Sequence, residues 1–268
     1  MEKENTVRIA LASPEYDPLG DTGSRLSVSE EICLLAADKG AGAVCFPEAF
    51  ITGYVPKRAG ELALTRDSEA VRKLREISSR TGTDILSGFM EAENGRYYVT
   101  HALFRPDGQS FFYRKSHLGE SEKGVFTPGG SLGVFPMSCG LKAAFQLCVE
   151  LHVPELTQEL SRRGADIIFC PHSVPGSPQK RKGIWETLLR ARGYDARVYI
   201  ACLNDRTPTH EGCFAAADPS GELVLSAFED AGSLVFFDPD PALTKRLRTS
   251  GGGMSERYYP SMARKELY

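Results

Sequence analysis

The chain has 268 residues, 41% hydrophobic and 25% charged, with 32 basic against 35 acidic side chains and a formal charge of -3. That balance excludes disordered, collagen-like and coiled-coil chains. With no basic stripe longer than Lys180-Arg181-Lys182 it also argues against a nucleic-acid partner. No window approaches the roughly eighteen apolar residues of a membrane span, and Met1-Glu2-Lys3-Glu4-Asn5 lacks the apolar stretch of a signal peptide, so a cytoplasmic location away from membranes is expected.

The first apolar run, Val7 to Ala12, predicts a strand, and Ser27 to Lys39 predicts an amphipathic helix with Ile32, Leu35 and Ala36 on one face and Gly40 as its stop. A strand from Ala43 to Phe46 completes a β-α-β unit, expected to be parallel and right-handed. Ser68 to Arg80 predicts the next helix and Asp84 to Met90 the next strand. Asn94-Gly95 and Asp107-Gly108 are tight-turn signals that make residues 84 to 115 a strand followed by hairpins.

Beyond Pro128-Gly129-Gly130, strands are predicted at 132 to 137 and 141 to 148, then a helix starting near Pro154. A strand at 166 to 171, a helix at about 182 to 196 and strands at 198 to 204, 213 to 217, 222 to 227 and 234 to 237 follow. Both halves repeat one order of elements without an internal linker. The expected organisation is one layered domain over 1–250 and a tail over 251–268 that begins Gly251-Gly252-Gly253.

Seven cysteines, at 33, 45, 139, 148, 170, 202 and 213, form no C-x-x-C pair, so neither a disulfide framework nor a zinc ribbon is indicated. Most sit in apolar runs as small hydrophobes. Three apolar strands, however, run straight into a reactive side chain: Phe46-Pro47-Glu48, Tyr113-Arg114-Lys115 and Phe145-Gln146-Leu147-Cys148. Ligand crevices in open α/β sheets lie beyond the carboxyl ends of strands, so a carboxylate, an ammonium and a thiol can meet there. Glu48 can take the proton of a thiol that is otherwise protonated at neutral pH, and Lys115 can stabilise a thiolate or an oxyanion.

These segments, with Gly53-Tyr54, with Ser116-His117-Leu118 after Lys115, with Glu122 six residues before Pro128-Gly129, and with Pro154-Glu155 after Cys148, resemble the nitrilase superfamily of carbon-nitrogen hydrolases in its amidase-like branch. The resemblance covers most of the chain, to about residue 240. It implies an α/β fold, specifically an α-β-β-α sandwich of two mixed sheets flanked by helices. It further implies Glu48 as general base, Lys115 as oxyanion partner, Cys148 as nucleophile and the Val149 backbone N–H as second oxyanion donor. Glu122 is the expected additional glutamate, with Glu120 as its competitor.

The reaction so implied is hydrolysis of a small linear amide or N-carbamoyl compound through a thioester, without a cofactor, in a homodimer or higher homo-oligomer pairing across a helical face. A nitrilase acting on a C≡N group, or a catalytically silent binding protein of the same fold, is the alternative. Tyr54 and His172 are further candidates to meet the substrate.

The chain also departs from the family pattern. It reads Cys148-Val149-Glu150-Leu151-His152, without the usual aromatic after the cysteine and with Glu150 for an Asp, and it carries Asp195 where Glu is common. If the strand continued through Cys148, then Cys148, Glu150 and His152 would share one face, and His117, Glu120 and Glu122 lie close in the other segment. A hydrolytic zinc site is thereby conceivable. It is disfavoured by repulsion from Lys115, and no metal is expected.

Overall fold

Runs of apolar residues such as Ile9–Ala12 (β1) and Ile167–His172 (β8) are buried at every position, which a strand achieves only with other layers on both faces. The computed structural model, which describes residues 7–229 and 231–249, meets that demand with four layers. One six-stranded sheet runs in the order β12 (Leu234–Phe237), β1, β2 (Ala43–Cys45), β3 (Asp84–Glu93), β4 (Arg96–Phe104), β5 (Ser110–Arg114). The second runs β11 (Leu223–Ala227), β10 (Phe214–Ala217), β9 (Tyr199–Asn204), β8, β7 (Lys142–Phe145), β6 (Phe135–Pro136). In each, three parallel strands lie between antiparallel ones.

Leu11, Cys45, Leu86, Phe145, Phe169 and Ala201 fill the space between the sheets. Helices α1 (Thr22–Asp38) and α3 (Glu69–Thr81) cover the outer face of the first sheet through Ile32, Leu74 and Ile77. Helices α4 (Pro154–Arg162) and α5 (Pro178–Ala196) cover the second through Leu160, Trp185 and Leu189. The α-β-β-α arrangement expected from the sequence is thus the observed one.

Several boundaries differ, each for a local reason. Helix α1 starts at Thr22 rather than Ser27, because the Asp21 carboxylate accepts the Ser24 N–H and caps it there. Its buried apolar residues are Ile32, Cys33 and Ala36, whereas Leu35 is half exposed. Helix α5 likewise starts at Pro178, behind the Ser177 cap. Strand β6 is only two residues long. Strand β7 stops at Phe145 instead of running to Cys148, and the chain turns where the three-ligand face was supposed. Two helices, Ala59–Leu62 (α2) and Pro241–Thr249 (α6), lie where no element was predicted. The tail at 251–268 falls outside the described residues, among which no helix is long and apolar enough to cross a membrane.

Candidate active site

Glu48 stands just past β2. Pairing persists one residue beyond the strand through Phe46 N–H to Leu86 O (2.8 Å), and the chain then turns at Ala49 with φ 50°. The turn lies flat on β3 at Gly88, where a Cβ would stand 2.5 Å from the Ala49 nitrogen and 2.9 Å from His101 Nδ1. Only glycine fits beneath it.

Lys115 extends the β4–β5 ladder by one bond, its N–H donating to Val99 O at 2.8 Å, and its own carbonyl accepts from Gly129 N at 2.7 Å. Gly129 approaches so closely that a Cβ would be 2.2 Å from Arg114 O. The Pro128-Gly129 signal therefore marks the loop that backs the lysine. The Lys115 side chain is 1% exposed, and its Nζ donates to Glu48 Oε1 (2.9 Å) and Glu122 Oε1 (2.7 Å).

Glu122 closes a single 3-10 turn, Glu120–Glu122, and is as buried as Glu48. Besides Lys115 it accepts from Tyr54 Oη at 2.5 Å and from the Gly119 N–H. Glu120, its competitor in the sequence reading, is exposed and pairs with Lys123 at 2.6 Å.

Cys148 opens a 3-10 turn, Cys148–His152, with φ 51°. A left-handed conformation costs a residue with a Cβ about 1–2 kcal/mol, and such strain persists only where the surroundings over-determine it. Glu150 supplies much of that determination. It is fully buried, its Oε2 accepts from Leu147 N at 2.7 Å, and its Oε1 accepts from Tyr113 Oη (2.7 Å), Ser116 N (2.8 Å), Ser116 Oγ (2.7 Å) and His117 N (3.0 Å).

The electrostatics follow from burial. Desolvation pushes the Glu48 carboxyl up to about 7, with the Lys115 charge pulling against it and Glu122 adding to it. Desolvation also raises the Cys148 thiol, reinforced by Glu48 and opposed by Lys115 and by the Val149 backbone N–H. Burial alone would lower Lys115, but Glu48, Cys148 and Glu122 together hold it raised and charged. Tyr54 is raised by burial, then by Glu48 and Glu122, and remains a donor. The resting site is thus a neutral thiol beside a carboxylate and a fixed ammonium. Oε2 of Glu48 is buried and has no hydrogen-bond partner, which leaves one oxygen free to accept a proton.

The remaining sequence candidates fall in different places. Val149 follows Cys148 in the turn and is partly exposed, while Tyr54 is committed to Glu122 by its hydroxyl. His172 ends β8, buried, with Nδ1 2.7 Å from Cys170 O and its ring tilted against Trp185 with centroids 4.4 Å apart. A ring nitrogen facing a carbonyl oxygen is the protonated one, and burial brings the ring down to about 3, so His172 is neutral and keeps Nε2 as an acceptor. His152 is exposed. The turn at Cys148 sends Glu150 and His152 apart, and among the described residues no three His, Cys, Asp or Glu side chains gather as a metal would require.

The sequence reading passed over a further network. Asp205, after β9, accepts from Tyr16 Oη (2.9 Å) and Ser173 Oγ (2.7 Å) and lies 2.6 Å from His210 Nδ1. It ties the chain beyond β1 to the carboxyl ends of β8 and β9. Scattered single polar residues of this kind carry no spacing signal.

A buried glutamate and lysine and a partly buried cysteine thus stand just past strands of two facing sheets, and the comparisons give the family. The model of the carbon-nitrogen hydrolase family matches residues 8–248, and the chain belongs to that family, as an enzyme acting on carbon-nitrogen bonds. It is similar to the (R)-stereoselective amidase of Pseudomonas sp, 25% identical over 79% of this chain and 77% of the relative. It is also similar to omega-amidase NIT2 of Homo sapiens, 30% identical over 76% of this chain and 79% of the relative.

Among solved structures, an E-to-Q variant of the amidase from Nesterenkonia sp. AN1 superposes with a TM-score of 0.82 at 23% identity, covering 99% of this chain and 96% of that one. That protein shows covalent addition of the acetamide moiety of fluoroacetamide at its active-site cysteine. Other variants of it are complexes with acrylamide and butyramide.

The fit at Gly88 is testable. Gly88→Ala should displace the turn that carries Glu48 while leaving the strands in place, and a misplacement near 1 Å costs about a hundredfold in rate. Circular dichroism should stay unchanged while the rate of carbon-nitrogen hydrolysis falls by about that factor.

Proposed function

We propose that this chain is an amidase that hydrolyses a small linear amide or N-carbamoyl compound through a thioester on Cys148. The observation that carries the reading is the buried Glu48–Lys115–Glu122 contact, in which Lys115 occupies only one oxygen of Glu48. A carboxyl near neutrality with a free oxygen, acting on a thiol that is raised rather than standing as thiolate, has the properties of a general base.

In the first half-reaction Glu48 takes the Cys148 proton as the sulfur attacks the amide carbon. Lys115 and the Val149 N–H donate to the oxyanion. Collapse expels the nitrogen, which leaves as ammonia or amine with the proton returned by Glu48. Water then gives a proton to Glu48 and attacks the thioester carbon, releasing the carboxylic acid and restoring the thiol. Glu122, held by Tyr54 and the Gly119 N–H, fixes the ammonium of Lys115 from its other side. The acetamide adduct on the Nesterenkonia cysteine and the small amides held by its variants support this choice of nucleophile and substrate class.

Within the same proposal Tyr54 and His172 meet the substrate, and the enzyme works in the cytoplasm, where seven free thiols stay reduced. The chain is further proposed to pair with a second copy across α4 and α5, where Ile184 is 55% exposed. Sedimentation at two protein concentrations should give the mass of a dimer at both; a monomer at both would remove the pairing.

Cys148→Ala should lower ammonia release from a panel of amides, ureido compounds and nitriles by about 10⁴-fold or more with the fold intact, and the wild type should favour amides or ureido compounds over nitriles. Activity at wild-type level in that variant would exclude the thioester route. Because Glu48 must be ionised to act and its carboxyl is pushed up to about 7, kcat/KM should fall on the acid side with a midpoint near 7. The loss approaches tenfold per pH unit below that point, and a plateau reaching down to pH 5 would rule out Glu48 as the base.

A further inference from the structure

Glu150 is one buried carboxylate held by two chain segments that no backbone ladder joins. Tyr113 and Ser116 flank Lys115 on the first sheet, and Leu147 precedes Cys148 on the second. We propose that Glu150 is the positioning residue that sets Lys115 and Cys148 relative to each other, by clamping the Tyr113–His117 segment and the Cys148 turn to its two oxygens. This rests on the reading of Lys115 and Cys148 as oxyanion partner and nucleophile.

The geometry assigns one task to each oxygen. Oε1 gathers four donors, Tyr113 Oη, Ser116 N, Ser116 Oγ and His117 N, all within two residues of Lys115. Oε2 takes the Leu147 N–H, one residue before Cys148. Every partner is a donor, so both oxygens act as acceptors, and hydrogen bonds to such a carboxylate are about twice as strong as neutral ones.

The backbone of the same residue holds the turn from within. Glu150 N donates to Leu147 O at 3.1 Å, and Glu150 O accepts from Gln146 Nε2 at 3.0 Å and Val153 N at 3.0 Å. The left-handed Cys148 is therefore pinned on both sides, and the same side chain reaches across the sandwich to the lysine segment. Between the sheets at this point ring packing adds to it, as of Tyr113 against Phe145 at 6.4 Å between ring centres. Such packing limits distance without fixing direction.

A glutamine is the same size but fails chemically, since its NH2 group must face either the four donors of Oε1 or the Leu147 N–H. Glu150→Gln should lower kcat by about thirtyfold with KM within about threefold of wild type, and should slow iodoacetamide alkylation of Cys148, read by mass spectrometry, by about tenfold. The control is Ser78→Ala on α3, which removes a buried hydroxyl that contacts Thr83 O and Phe104 O away from the site. It should reduce stability in urea without changing kcat.

A Glu150→Gln enzyme with kcat within threefold of wild type, or a loss of kcat matched by Ser78→Ala, would overturn the proposal. If Glu150→Gln does not fold, the double variant Tyr113→Phe, Ser116→Ala decides. It keeps the carboxylate and its Leu147 bond, and should lose about tenfold in kcat; unchanged kcat there overturns the clamp. If the wild type hydrolyses no member of the panel, the amidase reading fails by itself and the alkylation rates alone judge Glu150, equal rates in wild type and Glu150→Gln counting against it.

Discussion

The structure depends on one buried ammonium between two buried carboxylates. Taking an ion out of water costs several kcal/mol even after relaxation, and mutual attraction offsets this only where the geometry is good and the remaining hydrogen-bonding capacity is met. Lys115 meets that condition through Glu48 at 2.9 Å and Glu122 at 2.7 Å, and Glu122 is itself satisfied by Tyr54 and Gly119. Glu48 is the member left incomplete, with one oxygen unpartnered, and burial lifts it toward neutrality. The same desolvation that makes the cluster expensive thereby makes one of its members responsive.

Each part of the fold near the cluster serves to hold it. The glutamate turn lies against Gly88 because no larger residue leaves room for it, and the lysine is backed by Gly129 for the same reason. The thiol is carried on a left-handed turn that would relax if its surroundings loosened. Glu48 and Cys148 follow the parallel strands β2 and β7 and Lys115 follows the antiparallel edge strand β5, and past β9 Asp205 gathers Tyr16, Ser173 and His210 into a second brace. The cluster sits where two sheets face each other, so its distances depend on side chains that span the gap between them.

Much of this was legible in the chain. Apolar runs and turn signals indicated one layered domain of sheets and helices, and the four-layer arrangement was what the family resemblance implied. Asn94-Gly95 and Asp107-Gly108 close the β3–β4 and β4–β5 hairpins as expected, with positive φ at Asn94, Gly95 and Gly108. Glu48, Lys115 and Cys148 could be singled out because each follows an apolar strand, whereas Glu122 came only with the family resemblance. The starts of α1 and α5 were missed because Asp21 and Ser177 cap them beyond the apolar stripe. Leu35 was assigned to the wrong face because a stripe formed by Cys33 and Ala36 reads almost the same. Glu150 stood out only as a departure from a pattern, with nothing local to say that it would reach residues more than thirty positions away.

By itself the sequence determined where most of the strands and helices lie, which side chains are reactive, and that three of the reactive ones lie just past strand ends. Those are local properties, set by periodicity and by the conformations available to a few turn residues. Only the tertiary structure decided that Glu122 and not Glu120 faces the lysine, that β7 stops short of Cys148, and that Glu150 ties one sheet to the other. Each of these turns on which groups lose water together, and desolvation is a property of the packed assembly rather than of any segment of it.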